Sequence, residues 1–142
     1  MTQHWQLPAP GDIVWCLFPQ LPNIAPGPKP RPAIVVSVEH RVDGDVVSVV
    51  YGTSQNITRL KSGEVAITQS MHSAAYALAG LAYDTKFDFR HIIELAWSDR
   101  YFKVPLRNRH GNTPKMGTLH ATVMHAVEAA YRAVNVPDQS NK

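Results

Sequence analysis

The sequence predicts a mainly β protein, a small curled barrel of short strands with one C-terminal helix. Three observations lead there. Six short apolar runs of β type follow one another at close spacing between residues 12 and 97. An Asp-Gly turn signal, within Val42–Asp45, joins two of them into a hairpin. One long stripe of apolar residues at helical spacing stands at the end of the chain.

Asp12–Phe18 (DIVWCLF), bounded by Gly11 and Pro19, reads as a buried first strand. Pro19–Pro32 follows with six prolines and Gly27. Proline fixes φ and lacks the amide proton, so this segment is a long loop and neither helix nor central strand. Ala33–Val38 and Val46–Tyr51 are strands two and three, the arms of the hairpin. Glu64–Thr68 is a short fourth strand, and the Ala-rich Ser73–Ala82 is open between helix and irregular structure. Thr85–Phe89 and Ile92–Trp97 read as two strands split by Arg90-His91. Residues 100–116 form a loop, since Pro105, Gly111 and Pro114 argue against regular structure. The helix runs from Thr118, its N-cap, to Val134, with Leu119, Val123, Val127, Ala130, Tyr131 and Val134 on one face. Pro137 stops it.

Length fits a single domain over residues 1–142, large enough to bury a core without disulfides. With 44% apolar and 18% charged residues the chain is globular, not disordered. The one cysteine, Cys16, cannot form an internal disulfide and reads as a small buried thiol. No apolar run approaches the length of a membrane span, and Met1–Pro10 lacks the pattern of a signal peptide. The expected location is cytoplasmic, with no membrane partner.

The charge is distributed unevenly. Residues 1–99 hold seven Lys/Arg against nine Asp/Glu, while residues 100–116 hold Arg100, Lys103, Arg107, Arg109 and Lys115 with no acid. A concentrated basic stretch suits a polyanion or an acidic protein segment, and equally a solvated loop that keeps the protein soluble.

No metal site is expected. His120 and His125 are five apart on the helix, so they point roughly 140° apart, and no other histidine pair has ligand spacing with a third partner. There is no Gly-rich phosphate loop and no nucleophile elbow. Polar residues at strand ends remain. Arg31, held between Pro30 and Pro32, starts strand two; Thr53, Ser54 and Gln55 follow strand three. The hairpin brings the start of one strand beside the end of the other, and thus Arg31 beside Thr53. A rigid guanidinium fork can grip two phosphate oxygens. On spacing alone, Arg31 as a surface charge and Thr53 as a turn residue also stand.

Gly11-Asp12-Ile13-Val14-Trp15, then Arg31-Pro32-Ala33-Ile34-Val35-Val36-Ser37, then Val49-Val50-Tyr51-Gly52-Thr53-Ser54-Gln55 occur in that order. Together with Leu81-Ala82-Tyr83-Asp84-Thr85 and the strand near Ile92–Leu95 they resemble the MazF/PemK toxin family over about residues 11–97. The resemblance implies an SH3-like barrel, a homodimer, a cognate antitoxin, and growth inhibition through sequence-selective, metal- and cofactor-independent cleavage of single-stranded RNA. The implied reaction is attack of a ribose 2′-OH on the adjacent phosphorus, giving a 2′,3′-cyclic phosphate and a 5′-OH. It places catalysis on Arg31 and Thr53. Lys29, Ser54 and Gln55 beside them, with Arg107 and Arg109 of the basic stretch, are the expected substrate-binding residues. CcdB-type toxins share the fold and poison gyrase, so a non-enzymatic inhibitor is the alternative; a barrel that only binds RNA or protein is a third reading.

Overall fold

The computed structural model describes residues 5–135. Six strands form one antiparallel sheet in the order β4-β5-β3-β2-β1-β6. They are β1 (Asp12–Cys16), β2 (Arg31–Arg41), β3 (Gly44–Thr53), β4 (Glu64–Ile67), β5 (Thr85–Ala96) and β6 (Lys115–Thr118). Two helices accompany them, α1 (Ser73–Leu78) and α2 (Met124–Asn135), the latter entered through a 3-10 turn at Ala121–Val123. The mainly β class with a C-terminal helix is as expected. The edge strands β4 and β6 do not pair with each other, so the curl stops short of a closed ladder.

Side chains alternate across a strand, and here both faces are covered. Ile13, Ile34, Val50 and Phe87 face one core with Ala75 of α1 and Val127 and Ala130 of α2. Val14, Ala33, Val35, Val47 and Val49 face the other, capped by Phe18, Tyr101 and Phe102. Double coverage explains the near-continuous apolar runs of β1–β3. Phe102 also bridges to Cys16. Cys16 is fully buried, and burial pushes its thiol pKa far up, so it stays a protonated, inert sulfur.

Three expectations require correction. Residues 85–96 are one strand: Val50 faces Ile92 and Tyr51 faces Asp88, leaving Phe89, Arg90 and His91 as a bulge against β3. The exposed Arg90-His91 pair that looked like a break is this bulge. The basic stretch is not all loop, because Lys115 opens β6, which pairs with β1. Thr118 consequently ends a strand instead of capping a helix. The cap of the 3-10 turn is His120, whose Nδ1 accepts from the Thr122 amide at 3.0 Å. Val123, Val127 and Ala130 do form the buried stripe, while Tyr131 is 41% exposed and packs edge-on against Phe89. Pro137 lies outside the described residues.

An ion-pair network, buried at Lys86, Glu64 and Asp88, ties β4 to β5. Lys86 Nζ meets Glu64 Oε1 at 3.2 Å and the carbonyl of Arg59 at 3.2 Å. Arg90 bridges Glu64 and Asp88, and His91 approaches Asp88 at 3.4 Å. Lys86 is the β5 residue opposite Thr53, so this network also braces the end of β3.

Candidate active site

The ends of β2 and β3 open into a cleft of about 1070 Å³. Ala33 pairs with Tyr51 across these strands. Arg31 and Thr53 each lie two residues further toward the same end, and both line the cleft. Pro30 and Pro32 restrict the backbone on either side of Arg31. Across β1 the residue facing Arg31 is Cys16, and Trp15 faces Pro32. Arg31 is half-buried, not fully exposed as a surface charge would be, and makes no ion pair among the described residues.

Gly52 sets how closely the two strand ends approach. A Cβ there would stand 2.5 Å from the Pro32 carbonyl oxygen and 2.8 Å from Phe87 Cε1. No side chain fits at that distance, and the absence of one lets Thr53 close on the Arg31 strand.

Thr53 Oγ1 accepts a hydrogen bond from the Gln55 amide at 3.2 Å. That leaves the hydroxyl proton to donate outward. Ser54 lines the cleft, whereas Gln55 and Lys29 are exposed outside its lining. The contact of Gln55 with Thr53 is made by its main-chain N–H.

The basic stretch divides into separate roles. Lys103, Arg107 and Arg109 line the cleft. Arg100 lies over the Tyr101 ring at 5.3 Å, and Lys115 pairs with Asp12 at 3.5 Å. The cleft therefore gathers four cations, Arg31, Lys103, Arg107 and Arg109, and its lining contains no Asp or Glu.

Arg107 has a left-handed backbone, φ 53°, which is strained for a residue with a side chain. Its neighbour Asn108 holds that conformation in place. The Asn108 amide nitrogen donates to the carbonyls of Gly111 (3.2 Å), Thr113 (2.8 Å) and Lys115 (2.8 Å). The loop carrying two cleft arginines is thus clamped to the start of β6.

Sequence reasoning missed the wall formed by α1 and the segments on either side of it. Gln69, Ser73, Tyr76 and Tyr83 line the cleft, and Trp15 joins them from β1. Gly80 brings this wall in: its φ is 72°, and a Cβ on it would collide with the Met116 carbonyl of β6. The signal available in the sequence was Gly80 just after an Ala-rich segment, a helix-ending position. Among the described residues, no three His, Cys, Asp or Glu side chains come together as a metal site. No helix among them is long and apolar enough to cross a membrane.

Solved structures with this fold include a mycobacterial endoribonuclease in complex with its cognate antitoxin. It is 18% identical, with a TM-score of 0.55, over 93% of this chain and 99% of that one. A second mycobacterial endoribonuclease is 16% identical, with a TM-score of 0.55, over 96% and 99%. No curated protein matches the sequence. A family model described as the PemK-like, MazF-like toxin of type II toxin–antitoxin systems matches residues 9–134. That match spans every strand, both helices except the last residue of α2, and all the cleft residues, and the chain belongs to the PemK-like, MazF-like family of type II toxins.

Proposed function

We propose that this toxin is an endoribonuclease that cleaves single-stranded RNA in the Arg31–Thr53 cleft. The observation that carries the reading is an acid-free cleft with four cations and a hydroxyl donor at the meeting point of two strand ends. A polyanion is the complementary ligand. The flanking Trp15, Tyr76 and Tyr83 favour unpaired nucleotides over duplex, because unstacked bases pack on aromatic rings.

In this reading a ribose 2′-hydroxyl attacks the adjacent phosphorus, and its proton passes to solvent water, which in turn supplies the proton taken up by the leaving oxygen. The bond to the 5′-oxygen of the next nucleotide breaks, giving a 2′,3′-cyclic phosphate and, once that oxygen takes a proton, a 5′-OH. Negative charge grows on the non-bridging oxygens as the phosphorus becomes five-coordinate. Arg31 meets that charge with its fixed guanidinium fork. Thr53 donates its hydroxyl proton to a phosphoryl oxygen. Arginine stays charged, so Arg31 serves as the electrostatic stabiliser and not as a proton carrier. The role assigned to Ser54, Arg107 and Arg109, with Lys103, is to hold flanking phosphates. No bound cofactor enters this scheme.

The same reading makes the protein a cytoplasmic homodimer silenced by a cognate antitoxin; one fold neighbour is an endoribonuclease in complex with its cognate antitoxin. Light scattering at micromolar concentration then gives about twice the 15.8 kDa chain mass.

The decisive experiment is single-turnover cleavage of a long single-stranded RNA in EDTA, with circular dichroism as the folding control. Wild-type protein cleaves; Arg31→Ala is slower by about 10²–10³-fold, the loss typical of one preorganised donor. Thr53→Ala is slowed less. Arg31→Lys keeps the charge but not the bidentate geometry and rescues poorly. Wild-type-like cleavage by folded Arg31→Ala removes this assignment. A toxin of the gyrase-inhibiting kind, on the same barrel, leaves RNA intact in this assay.

A further inference from the structure

The cleft divides by chemistry. Residues 30–32 and 103–109 supply all four of its cations, while the wall drawn from residues 69–85 supplies no charged side chain. That wall carries Gln69, Ser73, Tyr76 and Tyr83 with small apolar residues between them. Phosphate binding accounts for the first half and leaves the second unexplained.

Three features of the neutral wall point to one ligand chemistry. Tyr83 is 73% exposed, a flat aromatic surface left open on a cleft. Gln69 and Ser73 also line the cleft, and neither side chain has a hydrogen-bond partner among the described residues. The backbones that carry these groups are nevertheless fixed. The Gln69 amide donates to Asp84 Oδ1 at 2.8 Å, and Thr85 Oγ1 donates to the Tyr83 carbonyl at 2.8 Å. Thr68 and His72 lock the turn between them, through the Thr68 amide to His72 Nδ1 at 3.1 Å and the Met71 amide to Thr68 Oγ1 at 3.2 Å.

A glutamine amide presents one acceptor and one pair of donors, the complement of a base edge. An aromatic face beside it takes the base's own face. We infer that the 69–85 wall is a nucleobase subsite, with Tyr83 stacking on one base of the RNA and Gln69 and Ser73 reading its edge. This rests on the ribonuclease reading and deepens it. Phosphate contacts give affinity without sequence, so base preference falls to this wall.

The test uses four fluorescent 2′-O-methyl RNA decamers, one of each base. They lack the attacking hydroxyl and stay intact while binding is read by anisotropy. Wild-type protein ranks the four bases. Tyr83→Ala weakens the best-bound decamer by about 5–150-fold, the loss expected for one base stack, and narrows the spread. Gln69→Ala reorders the ranking. Arg107→Ala lowers all four by a similar factor. Tyr83 and Gln69 are both exposed, so the variants leave the core untouched. Equal affinity of the wild type for all four decamers overturns the subsite, as does a Tyr83→Ala and Gln69→Ala pair that keeps the wild-type ranking. Absence of binding by a wild type that still cleaves RNA removes the subsite alone. Absence of both binding and cleavage removes the ribonuclease reading with it.

Discussion

Arg31 and Thr53 occupy matched positions, each two residues past the Ala33–Tyr51 pair of the β2–β3 ladder. The relationship is a matter of register, and Gly52 permits it by leaving room for the Pro32 carbonyl.

Gly52→Ala therefore acts on both stability and rate. Its methyl group has only backbone and the buried Phe87 ring to displace, an overpacking that costs about 1–3 kcal/mol in urea unfolding. The folded fraction cleaves RNA about 100-fold more slowly, because the two strand ends are wedged apart. A variant with unchanged single-turnover rate shows that the site tolerates a wider gap.

Asn108→Ala releases the loop that holds Arg107 and Arg109. Three carbonyls lose their donor, and hydrogen exchange over residues 106–112 rises while the strands keep their protection. Single-turnover cleavage falls between about 10- and 100-fold. Unaltered exchange in that loop means the clamp is not what orders it.

Salt separates the cleft cations from the others in the basic stretch. Replacing both Arg107 and Arg109 by Ala reduces the slope of log binding constant against log salt by about 1.4, at about 0.7 per phosphate contact on a single strand. Lys115→Ala leaves the slope unchanged, since Lys115 is engaged with Asp12. Equal effects from the two sets return the stretch to a diffuse charged loop.

Asp88 gives the fold an acid limit. Burial opposes its ionisation, but the hydrogen bonds and charge of Arg90 outweigh this and hold its pKa below the ordinary aspartate value. A carboxyl with a depressed folded pKa contributes stability above its unfolded pKa of about 4, and loses it as the pH falls through the folded value. Wild type melts well above Asp88→Asn at pH 7. The gap shrinks as the pH drops below about 4. A constant gap down to pH 2.5 assigns the stabilisation to packing.

Much of this arrangement was legible in the order of residues. Apolar runs and the Asp-Gly turn located β1 to β4, and the proline-flanked Arg31 with Thr53 located the ends that meet. What local pattern could not supply came from long-range pairing. The Arg90-His91 bulge looked like a strand break because two polar residues interrupt an alternation, and only β3 shows that the strand continues. Lys115 looked like part of a loop because β6 is four residues long and exists through its pairing with β1. The neutral wall was hidden for the same reason. Gln69 and Ser73 carry no motif, Tyr83 stands in a family-like segment that marks no role for it, and the close contact of Gly80 with Met116 is a tertiary fact. The charge count found the basic stretch but could not tell Arg107, which faces the cleft, from Arg100, which rests on Tyr101.

Four uncompensated cations round one acid-free cleft also have a consequence for the empty protein. Like charges held together by a fold strain against it, and the strain is relieved when anions enter. An acidic chain that fills the cleft binds the folded form only, and so raises its stability by linkage. A partner of that kind thereby preserves the toxin it occupies, and the occupied pool outlasts the free one.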